Sequence, residues 1–199
     1  QSIGPKILWL RRNEPQVYTQ ARYLCSASSF LVYRLSGQYV LDHTTASFFT
    51  PLSDIQARAW SERYAAPIVD EIPLPQLAWP GEIVGQITPL AAQETGLAPG
   101  TPVTAGTIDI ISEAISVGVL DPGDMMIMYG TTTCFVLVLD QPAPCEAMWL
   151  TPFGLAGRYD LAGGMATTGA LTRWFRDNFA VLEKAAEARG GPNAYAALT

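Results

Sequence analysis

The stretch from Val103 to Thr133 constrains the chain most, because apolar segments of different period follow one another there between short turns. Val103 to Ala105 is a brief extended run. Gly106 then precedes a helical pattern from Ile110 to Val117, in which Ile111, Ala114, Ile115 and Gly118 fall on one face. Asp121-Pro122-Gly123-Asp124 is a strong turn signal, after which Met125 to Tyr129 and Cys134 to Leu139 read as two buried strands joined by Gly130-Thr131-Thr132-Thr133. Strand, helix and strand pair in that order predict an α/β fold.

A chain of 199 residues can be one large domain or parts of two, and it can bury a sizeable core. Hydrophobic residues make up 49% and charged residues 15%, which argues for buried sheet and against disorder. The net charge of -6, with no basic cluster beyond Arg11-Arg12, excludes nucleic acid as a partner. The longest apolar runs, around Met125 to Met128 and Phe135 to Leu139, are too short to span a bilayer, so no membrane is expected. The opening QSIGPKILWL lacks the parts of a signal peptide. Three cysteines without CxxC spacing support neither a disulfide framework nor a zinc site; reduced, buried thiols in a cytoplasmic protein are the expectation. The chain starts without Met inside an apolar periodic segment, which reads as an internal fragment.

Earlier segments read as scaffold. A helix through Trp9 and Leu10 is stopped and restarted by Asn13-Glu14-Pro15, with Asn13 as N-cap of a helix to Ala21. Tyr23 to Cys25 reads as a short strand, and Ser28 or Ser29 as the cap of a helix closed by Gly37. Asp42 to Ser47 is a polar turn into a short helix, Ser53 to Trp60 a turn and helix start, and Pro89 to Thr95 a helix ended by Gly96. A strand around Met148 to Leu150, a hairpin through Gly154 and Gly157, and Tyr159 to Leu161 extend the later sheet. Gly163-Gly164 then introduces a helix from Thr168 to Phe179, and helices follow at Glu183 to Arg189 and Asn193 to Leu198.

Two features carry chemistry. Asp109 stands where a strand ends and a helix begins, from which ligand-facing residues project in an open α/β sheet; it also reads as a plain helix cap. The Gly130 turn is either a tight hairpin or a loop offering N–H and hydroxyl donors to phosphate. A carboxylate base and such a turn are what phosphoryl transfer to an alcohol requires. His43, the only histidine, has no nucleophile motif beside it and reads as structural; Trp9, Trp174 and Phe175 read as core or interface packing, and Glu113 as a helix-face residue. A Rossmann oxidoreductase is disfavoured, since no GxGxxG follows a strand.

In order and spacing, AGTID (Ala105 to Asp109), LDPGD (Leu120 to Asp124), YGTTT (Tyr129 to Thr133) and TGALTRWFRD (Thr168 to Asp177) resemble the FGGY family of carbohydrate kinases. PKILWL, SSFLVYRLSG, LDHTTAS and GEIVGQITPLAAQETGLAPGTPVTAG carry the resemblance over nearly the whole chain. The resemblance implies an actin-like, ribonuclease H-like fold. Residues 1–117 would be the later part of the sugar-binding N-terminal domain, and 118–199 the early part of the nucleotide-binding C-terminal domain. It implies that Asp109 is the general base and also contacts the sugar. Gly130, Thr131 and Thr132 would hold the nucleotide's terminal phosphates, and Gly169 and Arg173 would lie along the nucleotide site. ATP and Mg²⁺ are implied as cofactors, with no metal ligand assigned, a small sugar or polyol as acceptor, and a homodimer as the assembly. Ile110 stands where family members commonly carry a polar sugar ligand, and Arg173 where some carry Gln. The family's first phosphate turn and its adenine segment have no counterpart in the sequence. The competing reading is therefore a catalytically incomplete sugar-binding or assembly fragment.

Overall fold

The structure, a computed structural model, describes residues 2–69 and 72–198. The chain opens with helices α1 (Ile3–Asn13), α2 (Pro15–Tyr18) and α3 (Ala27–Ser36). Strand β1 (Val40–Asp42) runs into α4 (His43–Ser47), followed by β2 (Ser53–Asp54), β3 (Ala59–Trp60), α5 (Ala65–Val69) and β4 (Gln76–Ala78), which pairs in parallel with β1. Then come β5 (Ile83–Gln86), α6 (Pro89–Thr95) and β6 (Pro102–Thr104), the two strands antiparallel, and α7 (Asp109–Ser116). Strands β7 (Met125–Tyr129), β8 (Thr133–Leu139), β9 (Trp149–Pro152) and β10 (Tyr159–Met165) form a four-stranded antiparallel sheet ordered β7-β8-β10-β9. Helices α8 (Gly169–Phe179), α9 (Val181–Ala188) and α10 (Ala194–Ala197) complete the described chain.

Helix ends fall where local chemistry supplies partners. Pro89 occupies the first position of α6, the Thr88 hydroxyl accepts from Ala91 N–H, and Gly96 closes the helix at φ +77°, a conformation open mainly to glycine. Gly37 ends α3 in the same way, and its N-cap is Ser26, ahead of both Ser28 and Ser29. Asn13 is not a cap. Its side-chain amide donates to Trp9 C=O, Glu14 takes the cap position, and α2 stops at Tyr18. Tyr23 to Cys25 is irregular, and these residues pack by side chain, the Tyr23 ring lying 4.8 Å from both Tyr33 and Tyr39.

Two further segments differ from expectation. Ser53 to Trp60 is a hairpin, not a helix: Ser53 pairs with Trp60 and Asp54 with Ala59. Gly163 and Gly164 lie inside β10, where a Cβ on Gly163 would fall 2.7 Å from the Phe135 ring and one on Gly164 2.7 Å from Thr133 C=O. The pair of glycines lets β8 and its side chains approach closely instead of breaking the chain into a helix.

The core has more than one centre. Ile7, Leu41, Phe49, Leu52 and Val69 pack under α1. Ile111 and Ala114 of α7 pack on Met126, Val136, Val138, Phe153 and Ala162, so the helix covers one face of the four-stranded sheet. Full burial of side chains such as Phe153 and Ile111 stabilises by roughly 1.5–3 kcal/mol each. Bonds of long sequence reach join this sheet to the earlier elements: Thr44 Oγ1 donates to Pro152 C=O at 2.7 Å, and Arg58 Nη2 to Tyr159 Oη at 2.8 Å. Trp9, Trp174 and Phe175 are exposed, not core. Of the cysteines, Cys25 and Cys145 are exposed and Cys134 is partly covered, all three unpaired, so the expectation of buried thiols does not hold.

Candidate active site

Strand β6 delivers the chain to Gly106, whose φ of +69° turns it through Thr107 and Ile108 into α7. Ile108 is the N-cap and offers no side-chain acceptor, so Asp109 is the first helical residue and not the cap itself. Its Oδ1 accepts from Ile110 N–H at 2.8 Å, and the residue is exposed. A carboxylate in the first turn is favoured by the helix dipole and is still free to reach a ligand. Ile110 is partly buried against the α7 core, which accounts for an apolar residue there. Glu113 is exposed one turn further along the helix.

Burial pushes the Cys134 thiol up, and the negative charges of Asp160, Asp109 and Glu113 push it further. Ile108 and Ile110, either side of Asp109, pack against the core cluster that includes Met126 of β7 and Val136 of β8, so the first turn of α7 lies on this sheet. The helix that starts with Asp109 and the Gly130 turn thus belong to one packed unit, since the turn joins β7 and β8 of that sheet.

The turn itself is tight: Gly130 N–H donates to Thr132 C=O at 2.8 Å. Among the described residues, the N–H groups and hydroxyls of Thr131 and Thr132 make no hydrogen bond, and both residues are exposed. Helix α8 begins directly against this turn. Thr168 N–H donates to Thr131 C=O at 2.8 Å and Gly169 N–H to Gly130 C=O at 2.9 Å, while the Tyr129 and Thr172 hydroxyls are hydrogen-bonded at 2.7 Å. Its N-cap, Thr168, makes no side-chain capping bond. The hydroxyls of Thr133 and Thr168 are buried beside the turn without a partner among the described residues. Unpaired donors, orphaned hydroxyls and an uncapped helix N-terminus fit the oxygens of a phosphate.

The structure thus brings Gly130, Thr131, Thr132 and Gly169 together. Arg173 is exposed on α8, one turn past Gly169. Thr168 and the Tyr129–Thr172 pair were not singled out from sequence; Thr168 is signalled only by its place before the first glycine of a helix. His43 packs on Trp79 with ring centroids 4.6 Å apart and the rings tilted by 45°, and burial with the nearby Arg58 charge pushes its imidazole down, consistent with a structural role. No cluster of three or more His, Cys, Asp or Glu able to hold a metal occurs among the described residues. No helix among them is long and apolar enough to cross a membrane.

Asp160, unlike Asp109, is a buried acid on the helix-covered side of the sheet, bonded by Thr151 Oγ1 at 2.6 Å. Burial, only partly offset by that bond, raises its carboxyl to about 7. The unfolded chain releases this proton near pH 4 and the folded chain holds it to about 7, so stability should fall as pH rises through that window. The expected slope approaches about 1.4 kcal/mol per pH unit. Denaturant unfolding of wild type and Asp160→Asn at pH 5 and pH 7 checks this, the variant having lost that contribution; equal pH dependence in both would refute it.

Solved sugar kinases share this fold. The chain superposes on a xylulose kinase from Rhodospirillum rubrum with TM-score 0.84, 26% identity, and coverage of 100% of this chain and 39% of that one. A gluconate kinase from Lactobacillus acidophilus gives TM-score 0.76 at 24% identity, over 88% of this chain and 36% of that one. The class is therefore the mixed α/β fold of sugar kinases. Residues 2–116 match the N-terminal domain of the FGGY family of carbohydrate kinases, and the chain belongs to that family. An autoinducer-2 kinase of Yersinia enterocolitica is 32% identical over 201 aligned positions, covering 99% of this chain. The chain spans 38% of that curated relative's length.

Proposed function

We propose that this chain carries the base and one phosphate-binding turn of an ATP-dependent kinase acting on a sugar or polyol hydroxyl. The observation that carries this reading is the junction of the Gly130 turn with α8, where unpaired donors converge on the sheet that the Asp109 helix covers. In this reading Asp109 binds the sugar and takes the proton from its attacking hydroxyl. The amides and hydroxyls of Thr131 and Thr132, with the close approach of Gly130 and Gly169, hold the terminal phosphates of ATP as charge builds on them. Arg173 lies alongside as a cation for the nucleotide. Mg²⁺ neutralises charge on the nucleotide's phosphates, and no residue of this chain is assigned to it.

The same reading divides the molecule at about residue 117. Residues 1–117 belong to the sugar-binding domain and 118–199 to the nucleotide-binding domain, with the actin-like cleft between Asp109 and the Gly130 turn. The names of an autoinducer-2 kinase and a xylulose kinase among its relatives point to a small polyhydroxylated acceptor. The test is ADP release by the full-length protein with ATP and Mg²⁺ across a panel of ketopentoses, linear polyols and related polyhydroxylated carbonyl compounds. Release that depends on one of them supports the proposal; ADP release that no acceptor raises above background would overturn it.

A further inference from the structure

Asp42 is 65 residues from Thr107 in sequence, and its Oδ1 accepts from both the Thr107 hydroxyl at 2.9 Å and the Thr45 N–H at 3.0 Å. The residue is 1% exposed, and its Oδ2 is buried with no partner among the described residues. A half-satisfied buried carboxylate is costly. Capping α4 does not require that cost, since Ser26 and Thr88 cap α3 and α6 in this chain with neutral hydroxyls. What the carboxyl adds is reach: one oxygen bridges the start of α4 and the turn 106–108.

That turn leads directly to Asp109. Its entrance is pinned by backbone bonds, Ala105 N–H to Glu82 C=O at 3.0 Å and Gly106 N–H to Pro80 C=O at 3.1 Å. Beyond Gly106, Thr107 supplies the turn's only side chain capable of hydrogen bonding, and it is the one that Asp42 holds. The anchor at the other end is firm, because neighbouring Thr44 is completely buried and bonded to Pro152 C=O. We infer that Asp42 is a positioning residue which, through Thr107, fixes the turn that presents Asp109 to the acceptor hydroxyl. This inference rests on Asp109 being the base.

Misplacing a reacting group by about 1 Å can cost on the order of 100-fold in rate. In the full-length protein, Thr107→Val keeps the shape of the side chain and removes its donor. It should lower kcat by about 10- to 100-fold while the KM for ATP stays within about twofold and the thermal midpoint within a few degrees. Thr107→Ser, which restores the hydroxyl, should return most of the lost kcat. A Thr107→Val enzyme with wild-type kcat would overturn the inference, as would a loss that Thr107→Ser does not rescue. Thr107→Ala, with no added methyl to accommodate, carries the same expectation should the valine variant not fold. Asp109→Asn, assayed in parallel, separates the two readings: high activity there removes the base assignment itself, whereas an inactive Asp109→Asn beside a fully active Thr107→Val removes only the positioning role.

Discussion

Asp109→Asn is expected to lower turnover by about 100- to 10,000-fold in the full-length protein and to leave ATP affinity within about twofold. Asparagine keeps the size of the side chain, and its amide oxygen can still accept from Ile110 N–H, the one hydrogen bond that the Asp109 carboxylate makes among the described residues. The exposed position at the start of α7 leaves no buried charge to be uncompensated, so stability should hardly move. What asparagine cannot do is take a proton from the acceptor hydroxyl. The ATP site in this reading is built from a different element, the Gly130 turn with α8, which does not depend on the charge of residue 109. Steady-state kinetics together with nucleotide titration check the result. A variant retaining most of its kcat would show that Asp109 is not the base, while equal losses in kcat and nucleotide binding would show that the two elements are not separate parts of the site.

Legibility in the sequence followed how local each determinant is. Gly37, Gly96 and Pro89 mark helix ends through their own backbone chemistry, and the structure places them accordingly. The β7–β8 hairpin was legible from its turn and its apolar runs, and strand pairing from Met125–Leu137 to Tyr129–Thr133 follows. The β2–β3 hairpin was not, because strands of two residues carry no periodicity. Its turn uses Arg58 at φ +53°, where no glycine or asparagine announces the bend, and the Arg58 side chain is held by residues distant in sequence, near the faces of Trp79 and Tyr159. Gly163-Gly164 misled for a related reason: glycine signals freedom locally, while here its lack of a side chain serves the Phe135 ring on a neighbouring strand. In the site, Asp109 and the Gly130 turn could be picked out as residue types in order, but the bond of Asp42 to Thr107 is a product of tertiary packing that no spacing rule encodes. The exposure of Trp174 and Phe175 also escaped the sequence, since an apolar helix face says nothing about what covers it.

Gly169→Ala should be the most disruptive single-methyl change at the nucleotide end of the site. A Cβ at this position would fall 2.7 Å from Gly130 C=O and 3.3 Å from the Gly130 carbonyl carbon, with Thr131 Cα at 3.4 Å. These are backbone atoms of the tight turn, so no side chain can swing aside; either α8 or the turn must move. Either movement stretches the bonds from Thr168 N–H to Thr131 C=O and from Gly169 N–H to Gly130 C=O, which set the turn against the helix N-terminus. Overpacking and two weakened hydrogen bonds together should cost about 2–4 kcal/mol of stability. Displaced donors should also raise the KM for ATP by about tenfold or more, with the acceptor KM near its wild-type value. The contrast with Asp109→Asn is the informative part, since one variant should lose proton transfer with ATP binding intact and the other should lose ATP binding while its base is untouched. Calorimetric unfolding and ATP titration of Gly169→Ala check both halves of the expectation. A variant that binds ATP like wild type would mean that the approach of α8 to the Gly130 turn is structural and does not shape the phosphate site.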